Sequence, residues 1–314
     1  MAYTNTDTNM TTSSALSAGM QTYYNRELLR TFEPNLVHLQ FGDEHRMPPH
    51  SGLVMNMRKI IPLETNTKAL SEGDPGESVM LAETEVTVQL QQYGEYARCT
   101  DKLDLTHLDM DIMRRTKLFG DAGARSIDAV VREELAKCAN VIYAGGKASR
   151  AELTAADKLT SRELRKAVKT LKKNHAQTFG GYFVAIIGPD TMYDLQEDEA
   201  FVKVSQYQDK ENIYTGEVGR LFGVRLVETT EAKIFEGAGT DGADVASVIV
   251  LGQYAYGVTS LKGAKPRVIV KPAGSAGTAD PLDQISTVGW KMDGFGVKML
   301  QPEYAVRIEC GFSA

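Results

Sequence analysis

Chemistry needs acids, bases or ligands at fixed spacing, and this chain offers few. Its histidines, His38, His45, His50, His107 and His175, form no H-x-x-x-H or H-E-x-x-H pair. The ligand spacing of a zinc site is therefore missing, and a packing or solvated role is expected for each. Asp101, Asp104, Asp109 and Asp111 lie close together. Such carboxylates can hold a cation or move a proton, but favourable negative charge at a helix start accounts for them as well. Residues 237–242 spell G-x-G-x-x-G. A dinucleotide fingerprint must follow a strand and open a helix; here V-A-S-V-I-V-L follows, so a glycine-rich hairpin loop is expected. Y-A-G-G-K-A-S-R carries a lysine after glycines without P-loop spacing, and no G-x-S-x-G occurs. Cys99, Cys138 and Cys310 fit no metal or redox spacing and read as buried, reduced thiols. No catalytic, cofactor-binding or metal-ligating residue is assigned, and no cofactor is expected.

Composition sets the frame for these residues. A chain of 314 residues suggests about two domains, and 42% hydrophobic with 24% charged residues is ordinary for a globular protein. A formal charge of −6 argues against coating DNA through the whole surface, but not against enclosing it. No apolar run reaches the ~18 residues of a membrane span. The start, M-A-Y-T-N-T-D-T-N-M, has neither the basic nor the apolar part of a signal peptide.

The elements that must position everything else centre on residues 109–142. Ile127, Val130, Val131, Leu135, Cys138 and Ile142 recur at steps of three and four, the stripe of an amphipathic helix. Asp109 and Asp111 suit its start and Gly145-Gly146 its stop. Unbroken, it would span ~32 residues and ~48 Å. Gly120 and Gly123 leave two shorter helices as the alternative. Before it, Met20, Tyr24, Leu28 and Phe32 mark a short amphipathic helix ended by Pro34. Its apolar face can pack on its own domain or on another subunit.

Residues 52–99 read as two strands joined by a polar, turn-rich stretch, a long hairpin with little core of its own. A neighbouring subunit is one candidate for what it leans on. After Gly146, Thr160 to Glu163 form a capping box and Leu164, Ala167, Val168 and Leu171 a buried helix face. Arg162, Arg165, Lys166, Lys169, Lys172 and Lys173 give that helix a basic side, a weak nucleic-acid signal without aromatic interleaving, for which a solvated face is the default. Residues 181–189 form a buried strand with Asp190 capping the next helix, and further strands are expected at 224–229, 245–251 and 254–258. The glycine-rich end reads as strands returning through a turn. Helix and strand are interspersed, so the later block is mixed.

This order of elements resembles the major capsid proteins of tailed phages. Four stretches resemble the N-four-type family: L-L-R-T-F-E-P-N-L-V-H-L-Q-F-G (28–42), Q-Y-G-E-Y-A-R-C-T-D-K-L-D-L-T (92–106), N-V-I-Y-A-G-G-K-A-S-R (140–150) and G-E-V-G-R-L-F-G-V-R-L-V-E-T (216–229). The similarity runs from about residue 16 to residue 309. It implies an α+β, HK-ninety-seven-like capsid fold: an N-terminal arm (1–51), an extended hairpin called the E-loop (52–99), a peripheral domain (100–149 and 285–314) with a long spine helix, and an axial domain (150–284). It further implies hexamers and pentamers in an icosahedral shell around double-stranded DNA, with a portal and scaffold or decoration partners, assembled in the host cytoplasm and ending in the virion. Arm and E-loop would shift on maturation.

The expected intersubunit contacts are the E-loop tip, Glu72, Gly73, Asp74, Pro75 and Gly76, and the arm face, Met20, Tyr24, Leu28 and Phe32. An encapsulin-like compartment shares the fold and is the nearest alternative; a cytosolic α/β enzyme with a dispersed site is the other.

Overall fold

The computed structural model describes residues 26, 28, 36–48, 50–60, 67, 69, 83–102, 112–198, 220–261, 265–275 and 280–313. In chain order the first strands are β1 (Asp43–Met47), β2 (Val54–Ile60), β3 (Glu83–Gln89) and β4 (Gln91–Thr100). Helix α1 (Ile112–Leu135) and strand β5 (Val141–Tyr143) follow, then α2 (Ser161–Lys173), β6 (Phe183–Ile187) and α3 (Pro189–Gln196). The rest is strand: β7 (Arg220–Leu221), β8 (Val224–Glu228), β9 (Ile234–Phe235), β10 (Val245–Leu251), β11 (Tyr256–Leu261), β12 (Arg267–Lys271), β13 (Ile285–Met299) and β14 (Ala305–Cys310).

One sheet has seven strands, in the order β5-β14-β10-β6-β8-β7 with β9 beside β10. Every residue of β6 and β10 is buried, as their unbroken apolar runs require when both sheet faces are covered. Alternate side chains take opposite faces. Phe183, Ala185 and Ile187 meet Leu164 and Leu171 of α2 and Met192 and Leu195 of α3. Val184 and Ile186 meet Ile127, Val131 and Leu135 of α1. The other face of α1 covers Trp290, Met292 and Phe295 of the second sheet. That sheet has five strands, β1-β11-β13-β12 with β4 also on β13. Helix α1 is thus the layer shared by both sheets. Among the described residues no helix is long and apolar enough to cross a membrane.

Helix α1 differs from expectation at its end. It runs unbroken through Gly120 and Gly123 but stops at Leu135, and Ile142 lies in a strand. The cause is pairing: Val141 to Tyr143 run parallel to Arg307 to Glu309, and the Asn140 amide donates to the carbonyls of Pro302 (3.0 Å) and Ala305 (3.1 Å). Asp109 and Asp111 lie outside the described residues.

Helix starts differ too. The Thr160 hydroxyl donates to the Glu163 carboxylate instead of accepting from its amide. The Ser161 amide is taken at 2.7 Å by Asp198, a charged acceptor that suits a helix N-terminus better than a hydroxyl. Before α3, Gly188 is the cap and Pro189 fills the first position, which puts Asp190 inside the first turn.

The expected glycine-rich turn near the end is instead the middle of β13. This strand of 15 residues pairs with β4 along one edge and with β12 and then β11 along the other. The register slips between Met292 and Phe295, where Gly294 takes φ +68°. A Cβ there would sit 2.8 Å from the Leu261 Cβ. Gly294→Ala should therefore cost about 1–3 kcal/mol, read as a lower urea midpoint at unchanged slope; an unchanged midpoint would show that the bulge does not need glycine.

Strands β2 and β3 form a hairpin with Val54 opposite Gln89 and Ile60 opposite Glu83. The hairpin's base does have a core in its own chain: Met57, Val88 and Leu90 are buried at 4%, 2% and 4% exposure. Glycine makes the approach possible, since a Cβ on Gly296 would lie 2.7 Å from Val88 Cγ1. Lys59 reaches Glu303 at 2.9 Å. Strand β11 begins at Tyr256 because Tyr254 turns at φ 62°. The sheets do not divide at 284/285: β14 lies between β5 and β10, while β11 and β12 lie with β13.

Candidate functional site

A buried polar cluster joins residues 36–47 to α1. His38 Nδ1 lies 2.5 Å from Asp128 Oδ2, and the His38 amide donates to Asp128 Oδ1 at 2.7 Å. His38 is 1% and Asp128 0% exposed. The Tyr256 hydroxyl donates to the His38 carbonyl, and burial pushes that phenol far above its ordinary range. The apolar stripe of α1 surrounds the pair. The arrangement clamps residues 36–47 to α1.

The remaining chemistry-bearing residues are dispersed. His45 pairs with Asp43 at 3.0 Å on β1, His50 and His175 occupy left-handed turns, and His107 lies outside the described residues. Asp101 accepts from the Lys102 amide; Asp104 lies outside. Among the described residues no group of His, Cys, Asp or Glu could hold a metal ion. The glycine-rich loop 237–242 joins antiparallel β9 and β10, a hairpin loop as its context requires. The three cysteines are free and buried, and burial raises the Cys138 and Cys310 thiols.

A second buried cluster pins the end of the chain. The Ser313 amide donates to Asp194 Oδ2 at 3.0 Å, its hydroxyl donates to Oδ1, and Lys158 Nζ lies 2.8 Å away. Burial alone would raise the Asp194 carboxyl, but hydrogen bonds from Lys158 and Ser313 outweigh it and hold it below the usual carboxylate range. Its contribution to stability is therefore complete above the unfolded value of about 3.9 and is lost as pH falls from there through the folded value. Asp194→Asn should flatten the melting temperature against pH in that window; an unchanged acid limb would assign the acid sensitivity to other carboxylates. Nearby, Arg150 grips Glu309 with two bonds of 2.7 Å and stacks 3.6 Å over the Phe235 ring.

What the fold leaves open is surface. On the face of the five-stranded sheet away from α1, rows run across β4, β13 and β12: Tyr96–Gly289–Ile269 and Arg98–Thr287–Lys271. Gly289 leaves a trough between Tyr96, 62% exposed, and Ile269, 38% exposed. The groove measures about 660 Å³. Of the expected contact residues, Glu72, Gly73, Asp74, Pro75 and Gly76 lie outside the described residues, as do Met20, Tyr24 and Phe32. Leu28 is fully buried in its own chain, among the α1 residues that surround Asp128.

A family model described as phage capsid protein matches residues 83–308, well over half of the chain. No curated protein matches it. Among solved structures the chain is similar to the capsid of Ralstonia phage GP4, with TM-score 0.67 at 14% identity over 100% of this chain and 98% of that one. It is similar to the cyanophage Pam1 capsid, with TM-score 0.65 at 15% identity over 100% and 98%. It is also similar to the virus-like particle from Pyrococcus furiosus, with TM-score 0.54 at 13% identity over 92% and 99%. At these identities the structures establish a shared fold, and the family rests on the sequence model.

Proposed function

The chain belongs to the phage capsid protein family and has its α+β, HK-ninety-seven-like fold, and from that premise we propose that it is the major capsid protein of a tailed phage of the N-four type. It assembles as hexamers and pentamers into an icosahedral shell around double-stranded DNA, with a portal at one vertex and scaffold or decoration proteins as further partners. Assembly takes place in the host cytoplasm. The family match carries this reading. It is supported by a fold that uses its buried polar groups as clamps between elements.

The hairpin base is fixed to its own subunit by Met57, Val88 and Leu90, and in this reading the E-loop tip beyond it contacts a neighbour. The tip sequence, with Glu72, Asp74 and Glu77, is opposite in charge to Arg98 and Lys271 beside the Tyr96–Ile269 trough. The arm residues Met20, Tyr24 and Phe32 are the second reaching element, with Leu28 as its anchor. We assign the seven-stranded sheet with α2 and α3 to the axial domain, and the five-stranded sheet with α1 to the peripheral domain. This draws β5 and β14 into the first and β1, β4, β11 and β12 into the second.

Negative-stain microscopy of the purified chain tests the reading: uniform icosahedral shells are expected, and a monomer under every assembly condition would overturn it. The fold shared with the virus-like particle from Pyrococcus furiosus is also compatible with one second reading, a compartment enclosing protein. Shells recovered from cells with protein cargo and no DNA would decide for it.

A further inference from the structure

We propose that the exposed side of α2 binds the phosphodiester backbone of duplex DNA, and so faces the interior of the shell. The motivating feature is a segregation of charge. Arg162, Arg165, Lys166, Lys169, Lys172 and Lys173 follow steps of three and four along α2, opposite the buried stripe of Leu164, Ala167, Val168 and Leu171. With Glu163 the helix carries +5, which leaves −11 on the rest of a chain whose total is −6. Glu163 is buried, so the exposed side is cationic throughout. Lys166 lies 3.6 Å from Glu163 and Arg165 lies 5.3 Å from the Phe222 ring. Arg162, Lys169, Lys172 and Lys173 approach no carboxylate among the described residues.

Helix stability does not account for the stripe. Lysines in the last turn complement the helix dipole, but Arg162 and Arg165 near the first turn oppose it. A protein partner does not account for it either, because lysine is depleted where protein surfaces meet. A stripe of ~16 Å faces about ten charges along the same length of duplex. The helix itself carries no aromatic side chain and Phe222 abuts the stripe at Arg165, which fits paired and not unstacked bases. The contact needs no sequence preference. The proposal draws on the capsid reading only for which way α2 faces.

The test uses the full-length chain and a fluorescein-labelled duplex of arbitrary sequence, with anisotropy measured across a salt series. Binding should weaken with a log–log salt slope of about −4 to −5, and Lys169→Gln/Lys172→Gln/Lys173→Gln should bring the slope nearer zero by about 3. The matching triple arginine variant should restore it. No binding by the parent chain, or an unchanged slope in the glutamine variant, would overturn the proposal. So would a glutamine variant that binds DNA normally but no longer forms shells, since the stripe would then be a subunit contact. The readout does not depend on shells, so a chain that never forms them yet shows this change in slope would lose the capsid reading and keep this one.

Discussion

Deleting residues 68–78 is expected to abolish shells while leaving a folded subunit. The hairpin's anchorage lies at its base, where Met57, Val88 and Leu90 are buried and Lys59 holds Glu303. The deletion leaves all of these in place. Surface changes away from packing usually stay within about 0.5 kcal/mol, so the unfolding midpoint should hardly move. Assembly responds differently. A shell is held by many linked contacts, each raising the effective concentration of the next, and the deletion removes the same contact from every subunit at once. Circular dichroism and negative-stain images of the same preparation give the two readouts. Normal shells would sink the assignment of the tip as a subunit contact. An unfolded variant would place the tip in the subunit's own core.

How much of this was legible beforehand depended on whether a residue's role is local. The stripe of α1 and the buried runs of β6 and β10 were legible because periodicity reports burial directly. The loop 237–242 was legible because the strand after it ruled out the helix a nucleotide site needs. The end of α1 was not, because Cys138 and Ile142 keep the helical spacing. What removes them from the helix is a strand more than 160 residues away in sequence, since Val141 pairs with Arg307. Gly289, Gly294 and Gly296 looked like a turn for a related reason. Their use is close approach by β4, Leu261 and Val88, which no local pattern records. The hairpin's own core was missed because Met57, Val88 and Leu90 pack on β11 and β13, strands the sequence does not place beside them.

Asp128 was the most informative signal passed over. It sits on the buried arc of α1, four residues after Ala124 and three before Val131, both fully buried. A carboxylate there must have a partner, and His38 is that partner across 90 residues of sequence. Asp128→Ala should therefore cost about 3–5 kcal/mol, because it leaves a polar ring buried among apolar side chains with its partner gone. Replacing both, as His38→Leu/Asp128→Leu, should cost less than the two single alanine changes together, since an apolar pair removes the unmet group from each side.

Trp290 is the one tryptophan and lies in the same buried cluster as Leu28 and the α1 stripe. Its fluorescence in a urea titration would read these losses where they occur. A second consequence separates the clamp from ordinary core packing. His38 ties residues 36–47 to α1, and Leu28 buries itself beside the same helix. Asp128→Ala should thus loosen the root of the arm, so that protease cuts near residue 36 at denaturant concentrations where the Trp290 signal remains native. A midpoint within about 1 kcal/mol of the parent would be too small for a broken buried pair. Cleavage appearing only with global unfolding would show that the clamp does not hold the arm separately.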